Sequence, residues 1–93
     1  MAFYTYIYWQ AWQLLTPAER QLFLTLPLAP NGAFDQLVLV SGMDEDGIQG
    51  ALARLIELSL VQVGGDLSEP RYGLHRLTET FLMHEVLKWQ LAV

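Results

Sequence analysis

The first helix is predicted by apolar residues at helical spacing near the start of the chain. Between residues 3 and 15 the apolar positions recur every three or four residues, at Tyr4, Ile7, Tyr8, Ala11, Trp12 and Leu15. Residues at this spacing share one face of a helix, which is typical of a helix that packs on a core. Tyr6 and Trp9 fall on the opposite side, where a surface helix normally carries charge. We therefore expect Tyr6 and Trp9 to be exposed and to belong to an interaction surface.

Local start and stop residues predict three further helices. Thr16-Pro17-Ala18-Glu19 has the pattern of a capping box with proline in the first turn, followed by a helix to about Thr25. A short helix is expected from Phe34 to Val40. A longer one is expected from Asp44 to Leu58, and its first residues are acidic, which favours the positive end of the helix dipole. The face of this longer helix that we expect to be buried contains Ile48, Ala51, Leu52, Leu55 and Ile56.

The last third of the chain predicts a small hairpin followed by a final helix. Leu60 to Val63 and Arg71 to Leu74 have the composition of short strands, and Gly64-Gly65-Asp66 is expected to turn the chain between them. From about Leu77 the pattern is helical again, with apolar residues over a wide arc that includes Trp89. A helix-turn-helix followed by a two-stranded hairpin and a C-terminal helix is a winged helix. The sequence therefore predicts one mainly α winged-helix domain over residues 1–93.

Composition adds that this domain has more apolar surface than it can bury alone. Hydrophobic residues make up 53% of the 93 residues and charged residues 16%, against about 25% charged in a typical domain. A chain of this size has room for one modest core, so we expect a partner to cover part of its surface. Cysteine is absent from the sequence and no apolar run is long enough to cross a membrane, which predicts a cytoplasmic domain with no membrane partner.

The charge balance argues against DNA as the partner. The formal net charge is −5, and the five basic residues are scattered along the chain. Proteins that bind DNA normally present a basic face, because neutralising phosphates supplies much of the affinity. The predicted recognition helix, the second helix of the helix-turn-helix, exposes Arg54 but begins with three carboxylates. A stand-alone winged-helix regulator that binds a protein or DNA is the alternative to the family interpretation given below.

No arrangement of residues predicts catalysis, and the chain is not expected to be an enzyme. The glycine-rich phosphate loop GxxxxGK[ST] and the GxGxxG pattern are both absent from the sequence. Its two histidines, His75 and His84, lack the spacing of a zinc site. We therefore expect no metal, and no cofactor in this domain by itself.

The stretch Arg71-Tyr72-Gly73-Leu74-His75-Arg76-Leu77-Thr78 resembles the end of the winged-helix subdomain in the NB-ARC branch of signal-transducing NTPases, the STAND class. In that family the last strand of the hairpin runs into a Met-His-Asp motif that is followed by an apolar helix. Leu74-His75-Arg76 occupies the place of this motif, and residues 78–89 look like the helix after it. Residues 12–43 and 51–63 also resemble the subdomain, and the similarity to its bacterial members covers nearly the whole chain.

The resemblance implies a regulatory role without chemistry of its own. In the family the motif histidine contacts the β-phosphate of bound ADP and holds the protein in its inactive state, and this role is carried over to His75 alone. Arg76 stands where the family has aspartate. The family's phosphate loop lies in another domain, so the resemblance implies a module excised from a larger NTPase. Its expected partners are the adjacent nucleotide-binding and helical domains, and ADP or ATP would be bound in the parent protein. Tyr6, Trp9 and Trp89 are its expected interaction surface.

Overall fold

The computed structural model describes residues 3–29, 32–66 and 68–87, with the backbone alone for Phe3 and Tyr4. The elements run in the order α1 (Phe3–Gln13), α2 (Pro17–Thr25), α3 (Phe34–Ser41), α4 (Glu45–Glu57), β1 (Gln62–Gly65), β2 (Pro70–Gly73) and α5 (Arg76–Phe81). A 3₁₀ turn at Leu26–Leu28 follows α2, and a π-helical turn at Leu82–Val86 continues α5. The helix-turn-helix α3–α4 and the two-stranded wing make this fold a winged helix, which confirms the predicted fold class.

The second helix begins as the sequence predicts. The Thr16 hydroxyl accepts a hydrogen bond from the Glu19 amide at 3.2 Å, and the Glu19 carboxylate accepts one from the Thr16 amide at 3.0 Å. These two bonds satisfy amides that would otherwise lack a partner in the first turn. Pro17 occupies the first helical position, where its missing N–H has no cost. The start of α2 is therefore fixed by local sequence alone.

The turn between α3 and α4 sets the geometry of the helix-turn-helix. Gly42 ends α3 in the left-handed conformation, with φ of 73°, and its amide donates to the Val38 carbonyl. Asp44 is the N-cap of α4, where its carboxylate accepts from the Gly47 amide at 2.7 Å. Helices α2, α3 and α4 pack against one another around fully buried side chains, which are Leu22, Phe23, Leu37, Ile48 and Leu55.

The wing is an antiparallel hairpin in which β1 begins two residues after its predicted position and β2 begins one residue before its own. Gly64 pairs with Arg71 and Gly65 pairs with Pro70, so both glycines belong to β1 and not to the turn. Asp66 makes the turn, because its Oδ1 accepts from the Ser68 hydroxyl at 2.8 Å and from the Glu69 amide at 2.7 Å. These hydrogen bonds hold the pKa of the Asp66 carboxyl below its ordinary value.

A close contact between Gly32 and β2 attaches the wing to the helical body. The Tyr72 amide donates to the Gly32 carbonyl at 2.8 Å, and the Gly32 amide donates to the Ala29 carbonyl at 2.9 Å. Gly32 has φ of 71°, and a Cβ built there would collide with the Tyr72 carbonyl oxygen. Only glycine fits this backbone conformation and this approach without strain.

Helix α1 packs on α5 through aromatic rings. The Tyr8 ring stacks on Phe81 with centroids 5.3 Å apart, and Trp9 meets the same ring edge-on at 5.1 Å. The Tyr8 hydroxyl lies 2.8 Å from the hydroxyl of the buried Thr78. Phe81 therefore determines which face of α1 is turned inward.

The predicted phase of α1 is wrong by part of a turn. Ile7, expected in the core, is 48% exposed, whereas Thr5 is buried. Trp9, expected to be exposed, is half-buried against the core. The aromatic partner on α5 lies about 70 residues away in sequence and favours a face that includes Trp9, with aromatic pairs worth about 0.5–1.5 kcal/mol each. The side chain of Tyr4 lies outside the described residues.

Candidate functional site

His75 lies between the second wing strand and the last helix, which confirms the predicted position. Strand β2 ends at Gly73, and His75 is the N-cap of α5. Its Nδ1 accepts from the Leu77 amide at 3.1 Å, so the neutral ring carries its proton on Nε2. The residue is exposed, which leaves Nε2 as the atom that could donate to a ligand. The predicted role of His75 in sensing ADP stays a prediction.

The two residues on either side of His75 differ in how far they are buried. Leu74 is half-buried and packs on the core, whereas Arg76 is exposed at the first position of α5. A cavity of about 280 Å³ lies beside Leu74, lined also by Tyr72 and Glu79, and His75 does not line it. His75 therefore lies at the surface between β2 and α5, outside this cavity.

The exposed face of α4 is acidic where a winged helix that binds DNA would contact the duplex. Asp44 caps this helix, and Glu45 and Asp46 lie in its first turn. Arg54, the one basic residue of α4, lies 3.7 Å from the carboxylate of Glu57. Phosphates are repelled by carboxylates and attracted by arginine and lysine that have no acidic partner. This face therefore lacks the charge that phosphate contacts need.

Of the three aromatic residues predicted to form an interaction surface, the two that the structure describes differ in exposure. Tyr6 is 54% exposed, and its hydroxyl accepts from the side-chain amide of Gln10 at 2.9 Å. Trp9 is turned inward to Phe81, so its expected exposure is wrong. Trp89 lies outside the described residues. Of the two described residues, Tyr6 is thus the one at the surface.

Other large apolar side chains are exposed that the sequence pattern did not single out. Ile7 of α1 and Leu14, which directly follows this helix, join Tyr6 at the surface, and on α3, Leu39 is 83% exposed. Ile56 of α4, predicted to be buried, is 37% exposed beside the wing. The excess of apolar residues over charged ones indicates such surfaces, but only the packing of the elements shows where they lie.

The described residues present neither a metal-binding cluster nor a membrane-spanning helix. Within residues 3–29, 32–66 and 68–87, no group of three or more histidine, cysteine or acidic side chains is placed to hold a metal ion. In the same part of the chain, no helix has the length and apolar character needed to cross a membrane.

Comparisons with known proteins support the fold. No protein-family model matches the sequence, and no curated protein does. Among solved structures, the chain is similar to BpsR of Bordetella bronchiseptica, whose DNA binding is regulated by 6-hydroxynicotinic acid. The superposition has a TM-score of 0.69 with 17% sequence identity, and it covers 84% of this chain. This chain spans 57% of the BpsR chain. A likeness at this identity is a likeness of fold.

Proposed function

We propose that this chain is a non-catalytic regulatory winged-helix module that acts through contacts with protein surfaces. The observation that carries the proposal is the face of α4, where Glu45 and Asp46 are exposed and Arg54 lies beside Glu57. An acidic helix in this position favours a protein partner over a phosphate backbone. Exposed apolar side chains such as Leu14 and Leu39 supply surface that a protein partner can cover.

DNA binding is the second candidate, because the BpsR structure to which this chain is similar is that of a DNA-binding protein. A winged helix can place α4 in the major groove. In this chain, that placement would bring the first turn of α4 toward phosphates with its acidic side chains. For DNA binding, the cations that contact phosphates would therefore have to come from outside α4.

A nucleotide-sensing role in a larger NTPase is the more specific form of the regulatory proposal. It is supported by the resemblance of Leu74-His75-Arg76 to the Met-His-Asp motif, and by the exposed position of His75 at the start of α5. In this form the partners are the nucleotide-binding and helical domains of the parent protein. His75 then contacts ADP held by the parent's own phosphate loop, and the energy for switching comes from contacts that differ between the two nucleotide states.

A titration with duplex DNA separates the first two candidates. A labelled duplex of about 20 base pairs is titrated with the protein at about 20 mM and about 200 mM salt, because low salt strengthens any attraction to phosphate. We expect no binding at micromolar protein at either salt concentration. Arg54→Ala serves as the matched variant, since it removes the basic residue of α4. Binding that weakens with salt and with Arg54→Ala would favour the DNA-binding candidate and contradict the protein-contact proposal.

A further inference from the structure

A groove runs along α4 between this helix and the second wing strand. Gln49, Ala53 and Ile56 lie on one face of α4, because residues three and four positions apart are neighbours on a helix. Pro70 and Tyr72 of β2 form the opposite wall. With Phe34 at the start of α3 they enclose a cavity of about 460 Å³. We call this cavity the α4–wing groove.

A second hollow continues the α4–wing groove toward the wing tip. It shares Phe34 and Pro70 with the groove and has a volume of about 460 Å³. Asp35 and Glu69 line it, together with Arg71, whose guanidinium lies 3.8 Å from the Glu69 carboxylate. The two hollows therefore form one continuous surface that becomes acidic away from α4.

The α4–wing groove is uncharged inside, and it is acidic at the end near the start of α4. Its lining contains no charged side chain among the described residues, and Ile56 and Ala53 are exposed within it. Glu45 lies one helical turn before Gln49 on the same face of α4. At the other end Glu57 follows Ile56, and Arg54, 3.7 Å from its carboxylate, balances its charge. This arrangement suits an apolar ligand that carries positive charge at its edges.

We propose that the α4–wing groove binds an amphipathic helix of a protein partner, with apolar anchors flanked by lysine or arginine. This inference rests on the proposed protein-contact function. Charge complementarity selects the occupant, because Glu45 and Asp35 beside the groove repel both DNA phosphates and a second copy of this chain, whose net charge is −5. The face from Glu45 to Ile56 is about 17 Å long, which matches about three turns of a partner helix.

The test uses a designed peptide as the probe. A labelled amphipathic peptide of about 14 residues, made of leucine and lysine at helical spacing, is titrated with the full chain and followed by fluorescence anisotropy. A peptide with glutamate in place of every lysine is the charge control. We expect micromolar binding of the lysine peptide and none of the glutamate peptide.

Matched variants separate binding in the groove from attraction by net charge. Ile56→Gln removes an apolar anchor without changing charge, and we expect it to weaken binding by about fivefold or more. Leu39→Gln makes the same kind of change at a more exposed position outside the groove, and is expected to leave affinity within about twofold. Ala53→Lys, at an exposed helical position where lysine is tolerated, should abolish binding.

Each other outcome overturns the inference in a recognisable way. No binding of the lysine peptide, or equal binding by wild type, Ile56→Gln and Leu39→Gln, contradicts the groove as a docking site but leaves the protein-contact function standing. Duplex DNA is included as a second probe in the same titration. Duplex binding that is weakened by Arg54→Ala and strengthened by Ala53→Lys contradicts both the groove proposal and the proposed function.

Discussion

Replacing Gly32 by alanine is expected to detach the wing from the helical body. Gly32 has a positive φ, and its carbonyl accepts the hydrogen bond from the Tyr72 amide of β2. Alanine at this position would place its Cβ against the Tyr72 carbonyl oxygen, which belongs to the backbone and cannot rotate away. Strand β2 must therefore move, and the bond between Tyr72 and Gly32 is lost or lengthened.

The size of the effect follows from two terms. The left-handed conformation costs an alanine about 1–2 kcal/mol relative to glycine. Loss of the hydrogen bond from Tyr72, which is 2.8 Å long, adds about 0.5–1.5 kcal/mol. We therefore expect Gly32→Ala to lower the free energy of unfolding by about 2–3 kcal/mol, which for a domain of this size lowers Tm by roughly 10–20 °C.

Gly42→Ala is the matched control because it isolates the first term. Gly42 has φ of 73°, close to the 71° of Gly32, but a Cβ built there meets no atom within 4 Å. Both variants change the entropy of the unfolded chain equally, so this contribution cancels in their difference. Urea denaturation followed by tryptophan fluorescence measures both. If Gly32→Ala lowers the free energy of unfolding by no more than Gly42→Ala does, the contact between Gly32 and Tyr72 does not hold the wing in place.

Three further predictions concern a helix cap, the wing turn and the histidine. Thr16→Ala is expected to lower the free energy of unfolding by about 0.5–2 kcal/mol, because the Glu19 amide loses its acceptor; an unchanged denaturation midpoint would show that the cap does not stabilise α2. The hydrogen bonds to Asp66 lower the pKa of its carboxyl in the folded state, so their stabilisation is present above the unfolded-state pKa and is lost as pH falls through the folded value. We expect the protection of the Ser68 amide, which is its exchange rate relative to that of an unfolded peptide at the same pH, to fall on acidification in wild type. In Asp66→Ala this protection should be low at every pH. In a parent protein that binds ADP, His75→Ala should raise the ADP off-rate by about 10- to 100-fold, since a charge-assisted bond to phosphate is worth about 1.5–3 kcal/mol. His75→Asn, which keeps a capping side chain, should raise the ADP off-rate as well, whereas His84→Ala should leave it unchanged. Equal off-rates for wild type and all three variants would contradict the role of His75.

The elements that the sequence predicts correctly are those whose boundaries depend on neighbouring residues. Thr16 and Glu19 cap α2 by bonding to each other across three positions, and Gly42 ends α3 by its own backbone conformation. Asp44 likewise caps α4 through the Gly47 amide. Because these interactions are complete within one turn of chain, the helix-turn-helix can be derived from the order of residues alone.

The errors occur where contacts between distant segments decide the outcome. The inward face of α1 depends on contacts with the Phe81 ring. The spacing of apolar residues within α1 carries no information about this distant ring. The two glycines of β1 suggested a turn, but the acceptor that makes the turn is Asp66. Ile56 has the spacing of the buried residues of α4, yet it remains partly exposed beside the wing. The α4–wing groove could not be predicted for the same reason, because α3, α4 and β2 each contribute one part of it.

The acidic start of α4 affects both the stability of the fold and the choice of partner. Carboxylates in the first turn, such as Glu45 and Asp46, interact favourably with the positive end of the helix dipole, by about 0.3–1 kcal/mol each. The same charges repel a phosphate backbone, for which cations would be needed at this end of the helix. A helix-turn-helix can thus keep its geometry while its surface charge disfavours the ligand usually associated with that geometry, which is what we propose for this chain. The exposed side chains of α4, and not the winged-helix fold itself, are therefore the basis for expecting a protein partner.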